Sequence, residues 1–223
     1  MMVLPTTAGG FARWWLCLTA ASLLVVRFWG RTLFGAPECF GLWTGQVDGP
    51  EASQFFLDPY TFVHLTCGMV VYVAVSRNRT HHVTKSIWAR AAVVVLGQAV
   101  WEVFENSNPV IRRYRVSTIS AQYSGDSLVN SFSDDLVTPL GFFLAASFCE
   151  CEWRAESERR QSADRLVTRP RNPYHDRLLV CALIVVVELL VFAGICDNFT
   201  FSVLGFVVPS RHLVPIQAAC RCH

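Results

Sequence analysis

Charged side chains are scarce in this sequence of 223 residues. Only 16% of the residues are Asp, Glu, Lys or Arg, while 52% are hydrophobic; a soluble domain has about 25% charged residues. The charges stand in blocks between long apolar runs, which is typical of a membrane protein. The net charge of +2 is small, and no nucleic-acid-binding motif is present. The composition therefore predicts an integral membrane protein with membrane lipids, and no nucleic acid, as partners.

Apolar runs of about membrane-spanning length occur five times. A spanning helix needs roughly 20 mostly apolar residues, and the runs lie at about 11–29, 60–76, 86–106, 127–148 and 178–196. Arg13 precedes the first run as in a signal peptide, but no clean cleavage site follows, so this run is predicted to remain as a helix. The predicted fold class is all-α: a multi-pass transmembrane helix bundle with about five spanning helices, forming a single membrane domain over residues 1–223.

The segments between these runs are predicted from their composition. Residues 30–59 are rich in Gly, Pro and Trp and indicate a loop, and Pro109 begins a polar connection after the third run. Residues 150–177 form a charged connection, predicted to be a solvated helix followed by a linker. Residues 199–208 are apolar but too short to span a membrane, which predicts a re-entrant or an interfacial segment.

Basic residues predict the orientation, because cytoplasmic loops collect Lys and Arg. The connections after the second and fourth runs are basic; the former contains Arg77, Arg79, Lys85 and Arg90. Two helices separate these connections, so both are predicted to be cytoplasmic, with the N-terminus on the same side. Arg112, Arg113 and Arg115 then fall on the opposite side, which suggests that they have a specific partner.

This topology brings most ionisable residues of the helix ends to the non-cytoplasmic face. They are His64 on the second helix; Glu102, Glu105 and Asn106 on the third; Asp126, Asn130 and Asp134 at the fourth; and Asp197 and Asn198 after the fifth. Gln98, Glu102 and Glu105 are spaced to share one helix face, and so are Ser127, Asn130 and Asp134. A carboxylate facing lipid costs about 2.5–3.5 kcal/mol at the bilayer centre, so the two stripes are predicted to face each other or a wet cavity.

Glu188 lies on the fifth predicted helix, about 12 Å from its outer end at 1.5 Å per residue, and therefore near the midplane of the membrane. We expect this intramembrane acid to be protonated or paired within the bundle.

The nine cysteines do not indicate a metal site. Cys149 and Cys151, like Cys220 and Cys222 with His223, resemble metal-binding fragments, but neither pair has a second half at zinc-ligand spacing. Unpaired thiols are the favoured interpretation, and the sequence identifies no cofactor.

The run from Trp101 to Asp134, with Trp-Glu-Val-Phe-Glu-Asn-Ser, Arg113-Tyr-Arg and Gly125-Asp-Ser, resembles an uncharacterised bacterial inner-membrane family, domain of unknown function 2585. The resemblance covers about residues 23 to 217 and includes Asp58-Pro-Tyr-Thr-Phe, His64, Glu188-Leu and Asp197-Asn-Phe-Thr. It implies a multi-pass membrane protein and supplies no activity. Phe55 and Cys67 stand where the family usually has histidine, which argues against a site built from several histidines. VanZ-like membrane proteins are more faintly similar.

Four hypotheses for the polar cluster follow. In the first, Arg112, Arg113 and Arg115, with Asp126 and Asn130, bind a lipid-type anionic headgroup, while Glu102, Glu105, Asp134 and His64 serve as acids and bases. In the second, His64, Glu105, Asp126 and Asp134 bind zinc or manganese, although no metal-binding motif supports this. In the third, Glu188 belongs to a proton or ion pathway. In the fourth, the cluster only specifies helix packing. The sequence does not decide whether the protein is an enzyme.

Overall fold

The computed structural model describes residues 4–35, 40–76, 86–118, 120–163 and 174–195. These residues form six helices, namely α1 (Ala8–Phe28), α2 (Thr61–Ser76), α3 (Ile87–Glu105), α4 (Asn108–Ser117), α5 (Leu128–Ala163) and α6 (Tyr174–Ile195). Apart from one isolated β-bridge between Trp43 and Leu57, the described residues contain no β-structure. The predicted all-α class is therefore confirmed.

Two of the helices, α1 and α3, are long and apolar enough to cross a membrane. Shorter apolar helical stretches occupy Thr61–Val75 in α2 and Val180–Leu189 in α6. Length and composition thus identify two candidate spans where the sequence analysis predicted about five.

The connection after the third predicted helix is more ordered than its polar composition suggests. Helix α4 begins at Asn108, with Pro109 in its first turn, where the missing N–H of proline leaves no hydrogen bond unmade. Pro109 was expected to begin a polar connection; α3 ends at Glu105, and a new helix begins at Asn108. Val110, Ile111 and Tyr114 of α4 then pack with Tyr123 in a small apolar cluster.

Two other boundaries differ from the predictions. Helix α5 continues from Leu128 to Ala163, so the predicted fourth helix and the start of the charged 150–177 connection are one continuous helix. Arg90 was assigned to a cytoplasmic loop, but it lies inside α3 and is buried. Its guanidinium carbon lies 5.9 Å from the centre of the Tyr72 ring, a distance at which a cation–π contact forms.

The interior of the bundle contains many polar side chains, and its outward faces are largely apolar. Buried polar and charged residues are at least as numerous as buried apolar ones among the described residues, and they include Glu102, Asn106, Asn130 and Asp135. The outward faces carry large apolar side chains. On α5 these recur at every fourth position, which places them on one helix face: Leu136, Leu140, Leu144 and Phe148.

Helices α2 and α5 cross at two glycines. A Cβ atom on Gly68 would lie 1.9 Å from the Thr138 carbonyl oxygen, and one on Gly141 would lie 2.0 Å from the Leu65 carbonyl oxygen. Only glycine therefore lets the two backbones approach this closely, as in other small-residue helix crossings. Helices α2 and α5 run in the same direction, and α3 runs against them.

This arrangement separates the bundle into two ends. An apolar core at one end contains Met69, Tyr72, Val94, Phe142 and Ala145. At the other end lie the first turns of α2 and α5 and the last turns of α3. Carbonyl groups of the 29–60 loop accept hydrogen bonds from the amides of Ser127, Leu128 and Val129, so this loop covers the N-terminus of α5.

Several sequence predictions fall outside the described residues. They concern Cys39, Cys196, Asp197, Asn198, the segment 199–208, Cys220, Cys222 and His223. The side chains of Cys149 and Cys151 are not described either, whereas Cys17, Cys67 and Cys181 are free thiols.

Candidate functional site

A cavity of about 470 Å³ lies at the polar end of the bundle, between α2, α3 and the start of α5. Its volume is within the range of small-molecule sites. One part of its wall is polar and includes His64, Gln98, Glu105, Asp126 and Asp134. The rest is mostly apolar and includes Val63, Val71, Val93, Val94 and Trp101. None of the described residues that line it is lysine or arginine.

Asp126 is held at the rim of this cavity by three hydrogen bonds. Asn106 Nδ2 donates to its Oδ2 over 2.7 Å, Tyr123 Oη donates to its Oδ1 over 2.8 Å, and the Asp126 amide donates to Asn106 Oδ1 over 2.7 Å. Burial raises the pKa of Asp126 to about 6, although the hydrogen bonds from Tyr123 and Asn106 oppose this shift. Burial also raises the pKa of Tyr123 well above its usual value, so its hydroxyl remains a donor.

Gln98 connects the polar residues of α2, α3 and α5. Its Nε2 donates to Glu102 Oε1 over 2.7 Å, which orients the amide and leaves Oε1 as an acceptor. Thr138 Oγ1 donates to that oxygen over 3.0 Å, and His64 Nδ1 lies 3.4 Å from it. This arrangement places the proton of a neutral His64 ring on Nδ1 and leaves a lone pair on Nε2.

The Nε2 atom of His64 lies near the carboxylate of Asp134. It lies 3.7 Å from Asp134 Oδ2. His64, Glu102 and Glu105 each offer one ligand atom, and these three atoms lie within 4.8 Å of one another. Zinc ligands lie about 2.1 Å from the ion, hence at most about 4.2 Å apart, so small side-chain rotations would close the group around an ion.

Several buried oxygen atoms have no hydrogen-bond partner among the described residues, and two of them belong to carboxylates beside His64. These two atoms are Glu102 Oε2 and Asp134 Oδ1, and their side chains are almost completely buried. An unsatisfied buried carboxylate oxygen is costly, because burial removes its water without a replacement. A bound cation would supply the missing partner for these oxygens.

Loop residues complete the wall of the cavity. Ser53 lies in the left-handed region with φ of 57°, a conformation that costs of order 1 kcal/mol for a residue with a side chain. Its carbonyl accepts the Ser127 amide. The Tyr60 and Ser120 hydroxyl oxygens lie 2.9 Å apart, which joins the start of α2 to the loop before α5.

The predicted cluster divides in the structure. His64, Glu105, Asp126 and Asp134 all line the cavity, and Glu102 is buried beside them. Asn130 instead donates to the Phe55 carbonyl of the covering loop. Arg112 and Arg115 are exposed on α4, Arg115 Nε donates to the Tyr123 carbonyl over 2.6 Å, and Arg113 does not line the cavity either.

Glu188 lies apart from the cavity cluster. Thr66 Oγ1 of α2 donates to Glu188 Oε1 over 2.5 Å, linking α2 to α6.

Sequence reasoning missed two residues of this region. Asp135 was left out of the predicted stripes, yet it is buried and faces α1, where its Oδ2 accepts a hydrogen bond from Ser22 over 3.0 Å. Its adjacency to Asp134 was the available signal, because neighbouring residues on a helix point in different directions. Ser53 is the second residue, because nothing in the sequence around it predicts a left-handed backbone.

The fold and the site define an all-helical protein with an acid-rich interior. The chain belongs to a family described as protein of unknown function (DUF2585), whose model matches residues 26–153. The resemblance noted in the sequence is thereby confirmed. The matched range contains every residue that lines the cavity.

The chain is also similar to several bacterial proteins called UPF0314. The one from Paracoccus denitrificans is 43% identical over 105 residues, which is 47% of this chain and 53% of that protein. The one from Sphingopyxis alaskensis is 29% identical over 94% of this chain and 98% of its own length. The one from Novosphingobium aromaticivorans is 36% identical over 65% of this chain and 73% of its own length. No solved structure matches the chain.

Proposed function

We propose that this is a multi-pass integral membrane protein that binds a divalent cation between α2 and α3. The cation is zinc or manganese, and its ligands are His64, Glu102 and Glu105. One observation carries the proposal: three ligand atoms of suitable types lie within 4.8 Å of one another in a buried region that has unsatisfied carboxylate oxygens.

The membrane part of the proposal rests on the distribution of apolar side chains. In water, the outward stripe of Leu136, Leu140, Leu144 and Phe148 on α5 and the exposed Leu183, Val185, Val186 and Leu189 on α6 would form an unusually large apolar surface. In a bilayer these side chains contact lipid, and the polar groups are best placed inside the bundle. Helices α2, α5 and α6 would then cross the membrane together with α1 and α3.

The cation part rests on the hydrogen bonding of His64. A histidine that binds a metal through one ring nitrogen usually donates from the other to a carbonyl or carboxylate oxygen, which fixes the ring. Gln98 Oε1 takes that place beside Nδ1, so Nε2 is available to the ion. Imidazole together with carboxylates suits zinc or manganese.

Metal analysis of the purified protein tests this function. Wild-type protein in detergent, stripped with a chelator and titrated with zinc or manganese, should bind about one ion per chain. Glu102→Gln should weaken the affinity by at least about 10–100-fold, the loss that even an outer-shell partner causes, because it removes a charged ligand. Asp135→Asn is the matched control: it removes a buried acid that faces α1, so it should retain the ion.

Two results would contradict the cation site. Wild-type protein that binds neither metal after titration would refute it directly. Equal affinities of wild type and Glu102→Gln, with both proteins monodisperse and thermally stable, would exclude this ligand set.

A packing role is the second candidate, and the hydrogen bonds through Gln98 favour it. They connect α2, α3 and α5, and interhelical polar contacts are common in membranes, at roughly 0.6 kcal/mol each. In that case Glu102→Gln should lower the melting temperature in metal-free buffer, and no metal should raise the melting temperature of the wild type. The cation site requires such a rise for the wild type.

A further inference from the structure

We infer that the cavity takes up the hydrocarbon chain of an anionic, phosphate-bearing lipid, which enters from the bilayer between α2 and α3 and whose phosphate binds the cation. This inference rests on the proposed function, because the phosphate is held through the ion. It goes further by naming the ligand and the route by which it reaches the site.

The cavity is amphiphilic along its length. His64, Gln98 and Glu105 lie at its polar end, and Val71 and Val93 lie at the other. Val71 lies seven positions after His64, which is about 10 Å along α2 at 1.5 Å per residue. A polar end followed by two turns of apolar wall fits a molecule with a headgroup and a chain better than it fits a fully polar solute.

The apolar part opens sideways between α2 and α3. Helix α2 packs mainly on α5 and α3 mainly on α1 and α5, so these two helices barely contact each other. Val93 and Gly97 line the cavity and are also exposed on the surface of the bundle. A Cβ atom built on Gly97 has no other atom within 4 Å, so the gap at this position is open. On a bundle with an apolar exterior, this gap faces lipid chains.

The headgroup is inferred from charge. No arginine or lysine is among the described residues that line the cavity, while Glu105, Asp126 and Asp134 are, so the bare site offers an anion no positively charged partner. A divalent ion held by three protein ligands retains free coordination positions, and a phosphate oxygen is a suitable ligand for them. Lipid binding should therefore depend on the metal. Any contribution of the α4 arginines would come from outside the cavity.

Photo-crosslinking tests the inference. The metal-loaded protein is placed in nanodiscs with phosphatidic acid that carries a diazirine in its acyl chain. Crosslinks should map to cavity-lining positions such as Val71, Val93 and Val94. Gly97→Trp should reduce them at least 10-fold by filling the gap while retaining the metal. Gly9→Trp is the matched control, because Gly9 is also an exposed helical glycine with no atom within 4 Å of its Cβ position.

The outcomes separate this inference from the proposed function. Metal binding without crosslinks in the cavity, or crosslinks that Gly97→Trp leaves unchanged, would overturn the lipid inference and leave the cation site standing. Equal crosslinking with and without metal, or by phosphatidylcholine as strongly as by phosphatidic acid, would overturn the metal-held phosphate. If inorganic phosphate bound the metal-loaded protein as tightly as the lipid does, the hydrocarbon chain of the lipid would contribute nothing to the affinity. Protein that binds no metal would overturn both proposals.

Discussion

Asn106 and Asp126 join the end of α3 to the loop before α5 through two hydrogen bonds that run in opposite directions. Asn106 Nδ2 donates to the Asp126 carboxylate, and the Asp126 amide donates to Asn106 Oδ1, each over 2.7 Å. The amide of asparagine can both donate and accept, so this one side chain forms a hydrogen bond with the carboxylate of Asp126 and another with its backbone amide. The pair holds the rim of the cavity in place.

The raised pKa of Asp126 predicts a pH-dependent stability. The folded protein holds this proton up to about pH 6, against an ordinary value of 3.8. Between these values the folded state binds more protons than the unfolded state, so stability falls as the pH rises. A shift of this size corresponds to about 3 kcal/mol. Wild-type protein should therefore lose roughly 6–12 °C of melting temperature between pH 4 and 7, relative to Asp126→Asn.

Melting curves of both proteins in one detergent measure this difference. In Asp126→Asn, the new side-chain carbonyl would still accept from Asn106, and the new amide nitrogen could donate to the Tyr123 hydroxyl, so the variant should fold. If the difference in melting temperature between the two proteins stayed constant from pH 4 to 7, Asp126 would not be the cause of the pH dependence.

The two glycines at the crossing of α2 and α5 predict a second set of effects. Gly68→Ala and Gly141→Ala each force a methyl group to within about 2 Å of a backbone oxygen of the other helix. Neither backbone can yield easily, so each should lower the free energy of unfolding by at least about 2 kcal/mol. Gly97→Ala is the control, because its methyl group meets open space; it should be neutral or stabilising by up to about 1 kcal/mol. Similar melting temperatures for all three variants would contradict the close crossing.

Helical periodicity explains why much of the cluster could be predicted. Gln98, Glu102 and Glu105 recur at spacings of four and three, and the cost of exposing acids to lipid favours an inward face. The same spacing assigned Asp134 and not Asp135 to the inward stripe, since one residue changes the direction of a side chain by about 100°. It could not show that Asp135 is buried as well, because that depends on the position of α1. Periodicity also could not place Arg112, Arg113 and Arg115, since their directions depend on α4. That helix was not predicted, because Pro109 was interpreted as the start of a polar connection. The cavity arises from how far apart α2 and α3 lie, and no local pattern encodes that distance.

Gly125 and Gly30 provide a matched test of the loop next to the site. Both have a positive φ, 92° and 91°, so alanine at either position strains the backbone by about 1–2 kcal/mol. A Cβ atom on Gly125 would also lie 2.8 Å from the guanidinium of Arg31. That guanidinium donates to the carbonyls of Ser124 and Asn106, so it cannot move without losing them. Gly125→Ala should therefore destabilise more than Gly30→Ala, by about 1 kcal/mol or more in thermal unfolding. Equal losses would mean that Arg31 adapts freely.

Gln98 is predicted to act on the cation through His64 and Glu102. In Gln98→Leu, His64 Nδ1 loses its acceptor and Glu102 Oε1 loses its donor, so both ligands are free to rotate. Loss of such a partner costs roughly 10–100-fold in metal affinity, which a titration of the stripped protein with zinc measures. Thr138→Val is the control, because it removes another donor to the same Gln98 oxygen and leaves the contact with His64 in place. If the role of Gln98 were purely structural, Gln98→Leu and Thr138→Val would both lower the melting temperature and leave the metal affinity unchanged. A positioning role requires the metal affinity of Gln98→Leu alone to fall.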